Sequence, residues 1–284
     1  MSTTAPSESA PLTVAAVVEI LRQAAPPELA ESWDSNQLIC GDPADVVHTV
    51  LLAVDPLPAV IDEAISTGVE MVITHHPLFL RGTDHVSATT AKGRSVHRLI
   101  RAGIALANAH TTWDCAAGGN ADALAAAVGL TSTTVLSPSS ADPSLGIGRV
   151  GHLPQPMTLR ALAERVATAL PDSAPGLLVG GDPEAEVSFV AVSGGSGDSL
   201  LDAARQARAD VFLTADLRHH PATDHLADGR PYLLCGTHWA TEWLGLDALA
   251  ARLEAGAAQR GRTLTTRVST VVTDPWTLRL STGS

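Results

Sequence analysis

Two short segments of the sequence share a pattern that suits metal binding, a histidine followed four residues later by a carboxylate. In one segment His110 precedes Asp114, and in the other His238 precedes Glu242. The adjacent pair His75-His76 is a third signal. Each of the three follows an apolar run typical of a buried strand. Because imidazole and carboxylate groups are ligands for divalent transition metals, the three signals together predict one shared metal site that could hold two ions.

Each signal also has a purely structural explanation when it is taken alone. Adjacent strand residues point to opposite faces, so His75 and His76 could both turn toward a pair of metals only if they lie in a loop at the strand end. The structural alternative is that they are two hydrogen-bonded histidines in a turn. The spacing of His238 and Glu242 places both on one side of a helix, where they could bind an ion or form a surface ion pair. The same alternatives apply to His110 and Asp114. Convergence of all three signals on strand ends favours metal.

Three further features are open to a functional or a structural interpretation. His219 and His220 stand where the second half of the chain matches the first histidine pair, but Pro221 favours a surface loop. The Gly-Gly-Ser-Gly run at 194–197 could cradle an anion or make a tight turn between strand and helix. Four tryptophans near the motifs could stack on a planar base or wall off the metal site. They are Trp33, Trp113, Trp239 and Trp243.

The surrounding elements predict an α/β protein made of two similar domains through an internal β-α-β-α-β-α duplication. Residues 91–102 and 120–128 have helical spacing, and each stretch is followed by a glycine that would end a helix. The duplication places both His-x3-carboxylate motifs at equivalent strand ends, where open α/β sheets bind ligands. A last strand over 265–272 could pair with either sheet. The predicted divisions are a disordered tail (1–11), a first domain (12–130), a Ser/Thr/Pro-rich linker (131–143) and a second domain (144–284).

Composition excludes several classes of function. The net charge of −12 over 284 residues argues against a nucleic-acid-binding protein, which needs a basic surface. Three widely spaced cysteines without a C-x-x-C motif suit a reducing compartment. No apolar run approaches the length of a membrane span. We therefore expect a cytoplasmic protein that acts on a small molecule.

Taken together, the motifs resemble those of the Ngg-one-interacting-factor-three-like family, often labelled GTP cyclohydrolase I type 2 homologues. The resemblance spans roughly Leu12 to Trp276. The matching motifs start at 33 (Trp-Asp), 74 (Thr-His-His-Pro-Leu), 110 (His-Thr-Thr-Trp-Asp), 194 (Gly-Gly-Ser-Gly), 214 (Thr-Ala-Asp), 236 (Gly-Thr-His-Trp-Ala-Thr-Glu) and 273 (Thr-Asp-Pro-Trp). The chain departs from the family at Thr112, where Asn is common, and at Ser35 and Gln37, where Asn and Gly follow the Trp-Asp pair.

The resemblance implies a dinuclear divalent-metal site in a ring-shaped homohexamer whose metal sites face an internal cavity. The ligands that it implies are His75, His76, Asp114, His238 and Glu242. His75 and Asp114 would hold one ion, His76 and His238 would hold or share the other, and Glu242 would bridge them. Zinc, iron, manganese and cobalt all fit such a ligand set.

Two functions are compatible with this site. In the first, a metal-dependent hydrolase, two ions lower the pKa of a bridging water so that hydroxide forms near neutral pH. His110 would orient Asp114 or a bound water and is the candidate to transfer the proton. The substrate could be a nucleotide-like ring, a phosphoester or an amide. The alternative is a non-catalytic metal-binding hexamer that docks partner proteins, but five ligands for two ions leave room for water, which favours catalysis.

Overall fold

A computed structural model of the chain describes residues 11–281. The strands are β1 (Leu12–Thr13), β2 (Leu38–Cys40), β3 (Val46–Val47), β4 (Thr49–Ala53), β5 (Met71–Thr74), β6 (Ala105–Asn108), β7 (Thr131–Pro138), β8 (Gly146–Thr158), β9 (Leu178–Gly180), β10 (Glu186–Ser196), β11 (Val211–Ala215), β12 (Tyr232–Gly236) and β13 (Thr265–Val268). The helices are α1 (Val14–Ala24), α2 (Pro58–Thr67), α3 (Ala91–Ala102), α4 (Thr111–Cys115), α5 (Asn120–Val128), α6 (Leu159–Ala169), α7 (Leu201–Gln206), α8 (His219–Ala227), α9 (His238–Trp243) and α10 (Gly245–Gln259).

The chain divides into two compact units that alternate along the sequence. Within the described residues, the first unit comprises 11–24, 35–109 and 249–269, and the second comprises 25–34, 110–248 and 270–281. The division differs from two contiguous domains because β13, near the end of the chain, pairs in parallel with β4 in the first unit. None of the helices between residues 11 and 281 is long and apolar enough to cross a membrane.

In the first unit, five strands form a sheet in the order β13-β4-β5-β6-β2. The first four are mutually parallel, and β2 is antiparallel to β6. All residues of β5 and β6 are buried, as expected when helices cover both faces of a parallel sheet. The connecting helices α2 and α3 end at Gly68 and Gly103, each with φ +67°, a left-handed conformation that glycine adopts readily. Asp55 and His75-His76 follow β4 and β5 at the carboxyl edge of this sheet.

In the second unit, six strands run in the order β7-β8-β10-β11-β12-β9. The pairs β10-β11 and β11-β12 are parallel, and β8, β7 and β9 are antiparallel to their neighbours. Alternate residues of the central strands pack on opposite faces: Val192 and Leu213 belong to one apolar cluster, and Ala191 and Phe212 to the other. Three consecutive parallel strands followed by an antiparallel edge strand occur in both sheets, which agrees with the predicted duplication and confirms the α/β class.

Several local predictions need correction. Residues 131–138, predicted as part of a linker, form β7, because this Thr-rich segment pairs with β8 and buries Leu136. The glycine run at 194–196 ends β10 instead of forming a turn. His219 and His220 start α8 instead of lying in a loop. The predicted tail, 1–11, lies outside the described residues except for its last residue.

Candidate metal site

The histidine pair of the first unit continues the pairing of β5 with β4. The backbone N–H of His75 donates to the carbonyl of Ala53 (3.0 Å), and that of His76 donates to the carbonyl of Val54 (2.8 Å). The backbone N–H of Ala109 donates to the carbonyl of Thr74 (3.1 Å), which links the end of β6 to the end of β5. The sheet thus fixes the backbone from which both imidazoles project, and their ring centroids lie 5.0 Å apart.

Both imidazoles are anchored through Nδ1. The Nδ1 of His75, a buried residue, lies 3.1 Å from the carbonyl oxygen of Ala109. The Nδ1 of His76 lies 2.7 Å from Oδ1 of Asp55, the carboxylate that follows β4. Carbonyl and carboxylate oxygens only accept, so both imidazoles carry hydrogen on Nδ1, and the ring lone pair lies on Nε2.

In the second unit, a buried carboxylate anchors His110. The Nδ1 of His110 lies 2.6 Å from Oδ1 of Asp34, whose side chain is fully buried. The other oxygen of Asp34 accepts hydrogen bonds from the backbone N–H of Thr111 (3.0 Å) and from its hydroxyl. The exposed indole of Trp33 stands next to this pair, with its ring centroid 5.7 Å from that of His110 and the planes at 77°.

Asp114 lies in the short helix α4, one turn after His110. Its Oδ1 accepts a hydrogen bond of 2.9 Å from the side-chain amide of Asn120 at the start of α5. Trp113, on the same helix, is buried and donates from Nε1 to the carbonyl of Gly245 (3.1 Å). The packing of Trp113 and the amide of Asn120 therefore fix the position of the Asp114 carboxylate.

His238 and Glu242 meet on one side of α9, as their spacing predicts. The helix begins at His238 after Thr237, whose hydroxyl accepts from Ala240 N at 3.3 Å. The Nε2 of His238 lies 3.1 Å from Oε1 of the buried Glu242. Its Nδ1 lies 2.6 Å from Oδ2 of Asp216, which follows β11 with φ +51°. Two carboxylates therefore flank one imidazole.

These carboxylates make His238 strongly basic. Burial lowers the pKa of His238, but the charge of Glu242, with hydrogen bonds to Asp216 and Glu242, outweighs burial and raises it to about 11. The imidazole accordingly binds a proton between the two carboxylates. The same surroundings favour a divalent cation in place of that proton.

The glycine run at the end of β10 lies against this pair. Gly195 has φ +66°, and a Cβ at this position would stand 2.3 Å from Oε1 of Glu242 and 3.1 Å from Nε2 of His238. The backbone N–H of Gly195 donates to the hydroxyl of Thr241 (3.0 Å), and its carbonyl accepts from the hydroxyl of Thr214 (3.1 Å). The run therefore has a structural role that neither sequence interpretation named, because a residue without a side chain at 195 leaves room for the Glu242 carboxylate.

Each unit presents its own set of candidate ligands. The first unit holds His75 and His76, and the second holds His110, Asp114, His238 and Glu242. In all four histidines Nδ1 meets a carboxylate or a carbonyl, which is the arrangement that orients metal-ligating histidines. The protein thus has histidine and glutamate groups that could hold a metal ion, and their donor chemistry fits a divalent transition metal.

Sequence reasoning assigned no role to the groups that anchor these ligands. They are Asp34, Asp55, Asp216 and Asn120. Asp55 and Asp216 each follow a parallel strand, which is the signal that marked the histidines, and could have been found in the same way. Burial disfavours the thiolate form of the cysteines near the motifs: it raises the pKa of Cys115 to about 12 and also raises that of Cys235.

Comparisons with known proteins agree with the motif resemblance. The family model Duf34/NIF3 (NGG1p interacting factor 3) matches residues 12–275. A Streptomyces coelicolor protein named GTP cyclohydrolase 1 type 2 homolog is 50% identical over 258 residues, 90% of either chain. A Mycobacterium bovis protein of the same name is 35% identical, covering 95% of this chain and 98% of its own. A solved Bacillus cereus structure related to NIF3 has a TM-score of 0.89, covering 95% of this chain and 100% of that one; at 23% identity it supports the fold alone.

Proposed function

Since the chain belongs to the Duf34/NIF3 family, we propose that it is a dinuclear divalent-metal-dependent hydrolase with cyclohydrolase-like chemistry. The observation that carries the proposal is the Nδ1 anchoring of His75, His76 and His238, because it sets the orientation that a metal ligand requires. The name of the relatives, GTP cyclohydrolase 1 type 2 homolog, supports hydrolysis of a nucleotide-like ring; a phosphoester or an amide would suit the same chemistry.

The ligands in this proposal are His75, His76, Asp114, His238 and Glu242. In this proposal Glu242 would be shared by the two ions; its carboxylate is buried, adjoins His238 and lies against a glycine. Asn120 restricts the rotation of Asp114 through its hydrogen bond to Oδ1. Zinc, iron, manganese and cobalt all suit three imidazoles and two carboxylates.

Divalent ions, when bound, would act as Lewis acids toward water and substrate. The chain itself supplies the group that moves the proton. Asp34 accepts the Nδ1 hydrogen of His110, so that Nε2 of His110 can take a proton from attacking water and return it to the leaving group. The two further hydrogen bonds from Thr111 hold Asp34 in place, so the imidazole keeps this orientation during the reaction.

The experiment that tests the proposal measures metal content and turnover together. Elemental analysis is made on the wild type, on Glu242→Gln and on the control Glu184→Gln, which alters an exposed ion pair with Arg160. It is paired with a hydrolysis screen over nucleotides, phosphoesters and amides. We expect about two ions per chain in the wild type and the control, and loss of metal and turnover in Glu242→Gln.

Two other results would change the conclusion. Metal bound at full stoichiometry without turnover on any substrate would favour the alternative, a non-catalytic metal-binding protein that docks partners. Absence of metal from wild-type protein purified without chelator and then incubated with zinc, iron, manganese or cobalt would refute the metal site.

We also propose that the protein forms a hexameric ring and works in the cytoplasm. The family resemblance supports the ring, as do exposed apolar side chains of the second unit such as Leu178, Trp276 and Leu280, which assembly would cover. The three cysteines are all unpaired thiols, which supports a reducing compartment. Light scattering coupled to size exclusion should give a mass six times that of the chain; a monomer or dimer would contradict the ring.

A further inference from the structure

We propose that Trp33 is a stacking surface for a planar heterocyclic ring of the substrate, an inference that rests on the proposed hydrolase function. The side chain of Trp33 is 56% exposed, whereas tryptophan is highly buried on average. Its indole stands beside His110, the group assigned to proton transfer, with the ring centroids 5.7 Å apart. A flat ring that lies against this indole would therefore be next to the imidazole that serves the reaction.

The backbone that carries Trp33 is fixed on both sides. Asp34 N donates to the carbonyl of Glu31 (2.9 Å), which closes a tight turn around Trp33. Glu31 N donates to the hydroxyl of Thr111 (3.0 Å), and the carboxylate of Asp34 accepts from the backbone and side chain of the same threonine. Because Asp34 also holds His110, one short segment positions both the indole and the imidazole. A surface that is already ordered loses little entropy when a ligand binds.

The other tryptophans near the motifs have structural roles. Trp113 and Trp239 are buried, and Trp113 donates its indole N–H to the carbonyl of Gly245. Trp243 is partly buried and lies 6.3 Å from Trp239, ring centroid to ring centroid. The buried indoles therefore pack in the interior, while more than half of the surface of Trp33 is exposed to solvent.

The charge of the chain gives the stacking contact added weight. With a net charge of −12, the overall field does not attract an anionic substrate such as a nucleotide. In this proposal the attraction comes from metal coordination and ring contacts. Stacking on an aromatic side chain accepts any planar base, because every base has a π-face. The substrate class inferred is therefore a planar nitrogen heterocycle, and the purine ring is a suitable probe.

The test compares a ligand with a ring and a ligand without one. Isothermal titration calorimetry on the zinc-loaded protein uses guanosine 5′-monophosphate and ribose 5-phosphate as probes. The variants are Trp33→Leu, which removes the aromatic face, and Trp33→Phe, which keeps one. Ile100→Ala is the matched control, because Ile100 is similarly exposed at 59% and lies in α3, outside every motif named above. We expect Trp33→Leu to weaken binding of the purine nucleotide about tenfold, equivalent to about 1.4 kcal/mol, and Trp33→Phe to weaken it less than about threefold.

Binding of ribose 5-phosphate should be the same in all four proteins. The inference is overturned if Trp33→Leu binds the nucleotide as the wild type does, if both probes weaken equally, or if the zinc-loaded wild type does not bind the nucleotide. Metal content and turnover are measured separately on the same samples. Ring binding through Trp33 without any hydrolysis would contradict the proposed function and leave the stacking surface in place, so the two failures can be told apart.

Discussion

The substitution Gly195→Ala should weaken metal binding by more than it destabilises the fold. An alanine at φ +66° carries a left-handed strain of roughly 1–2 kcal/mol. In addition, its Cβ would lie 2.3 Å from Oε1 of Glu242, which is about 1 Å inside ordinary van der Waals contact. The carboxylate must therefore move by about 1 Å, whereas metal–ligand distances tolerate only about 0.2 Å.

Gly68→Ala is a matched control for this substitution. Gly68 has φ +67°, and a Cβ there would meet no atom within 4 Å, so the control carries the backbone strain without the collision. Since loss of an orienting contact alone costs about 10- to 100-fold in metal affinity, displacement of a ligand should cost at least about 100-fold, or about 2.7 kcal/mol. Titration calorimetry with zinc measures the affinities, and urea unfolding of the metal-free proteins measures the shared strain. Equal zinc affinity in the two variants would refute Glu242 as a ligand.

Three further predictions concern the supporting groups. Asp34→Asn should leave the metal content unchanged and lower kcat at least about 100-fold, because His110 loses the acceptor that fixes its tautomer. Steady-state kinetics measure this effect, and an unchanged kcat would contradict it. Because the pKa of His238 is raised to about 11, a metal ion must displace the proton of this imidazole before it can bind. Zinc affinity should therefore be weakest at low pH and rise about tenfold per pH unit between about pH 6 and 8. A flat profile of zinc affinity against pH would argue against His238 as a ligand. Arg149→Met should lower the free energy of unfolding by about 3 kcal/mol, since the buried guanidinium of Arg149 pairs with Asp122. Urea unfolding measures this loss. A loss under about 1 kcal/mol would show that the Arg149–Asp122 pair contributes no more than an exposed ion pair does.

Locally encoded features could be predicted from the sequence. The helices at 91–102 and 120–128 have the predicted bounds because a glycine with positive φ ends each of them, Gly103 and Gly129. The pairing of His238 with Glu242 also follows from local spacing, since residues four apart share one side of a helix.

Features that depend on distant pairing were not predicted. Asp34 meets His110 across 76 residues, and no local pattern reports such a contact. The segment 131–138 resembles a linker in composition and becomes a strand only because β8 is beside it. For the same reason the sequence left the partner of the last strand open, and the structure pairs it with β4.

That last pairing has a consequence for synthesis on the ribosome. The sheet of the first unit is closed on one side by residues 265–268, which pair with residues 49–52 and leave the ribosome after every other strand of this sheet. Until then β4, with the apolar residues Val50, Leu51 and Leu52, exposes an unpaired edge, and such edges invite pairing with other chains. The nascent chain must therefore keep this edge from associating with other chains. A chain that stopped before residue 265 would be prone to aggregation, even though it would contain every candidate metal ligand.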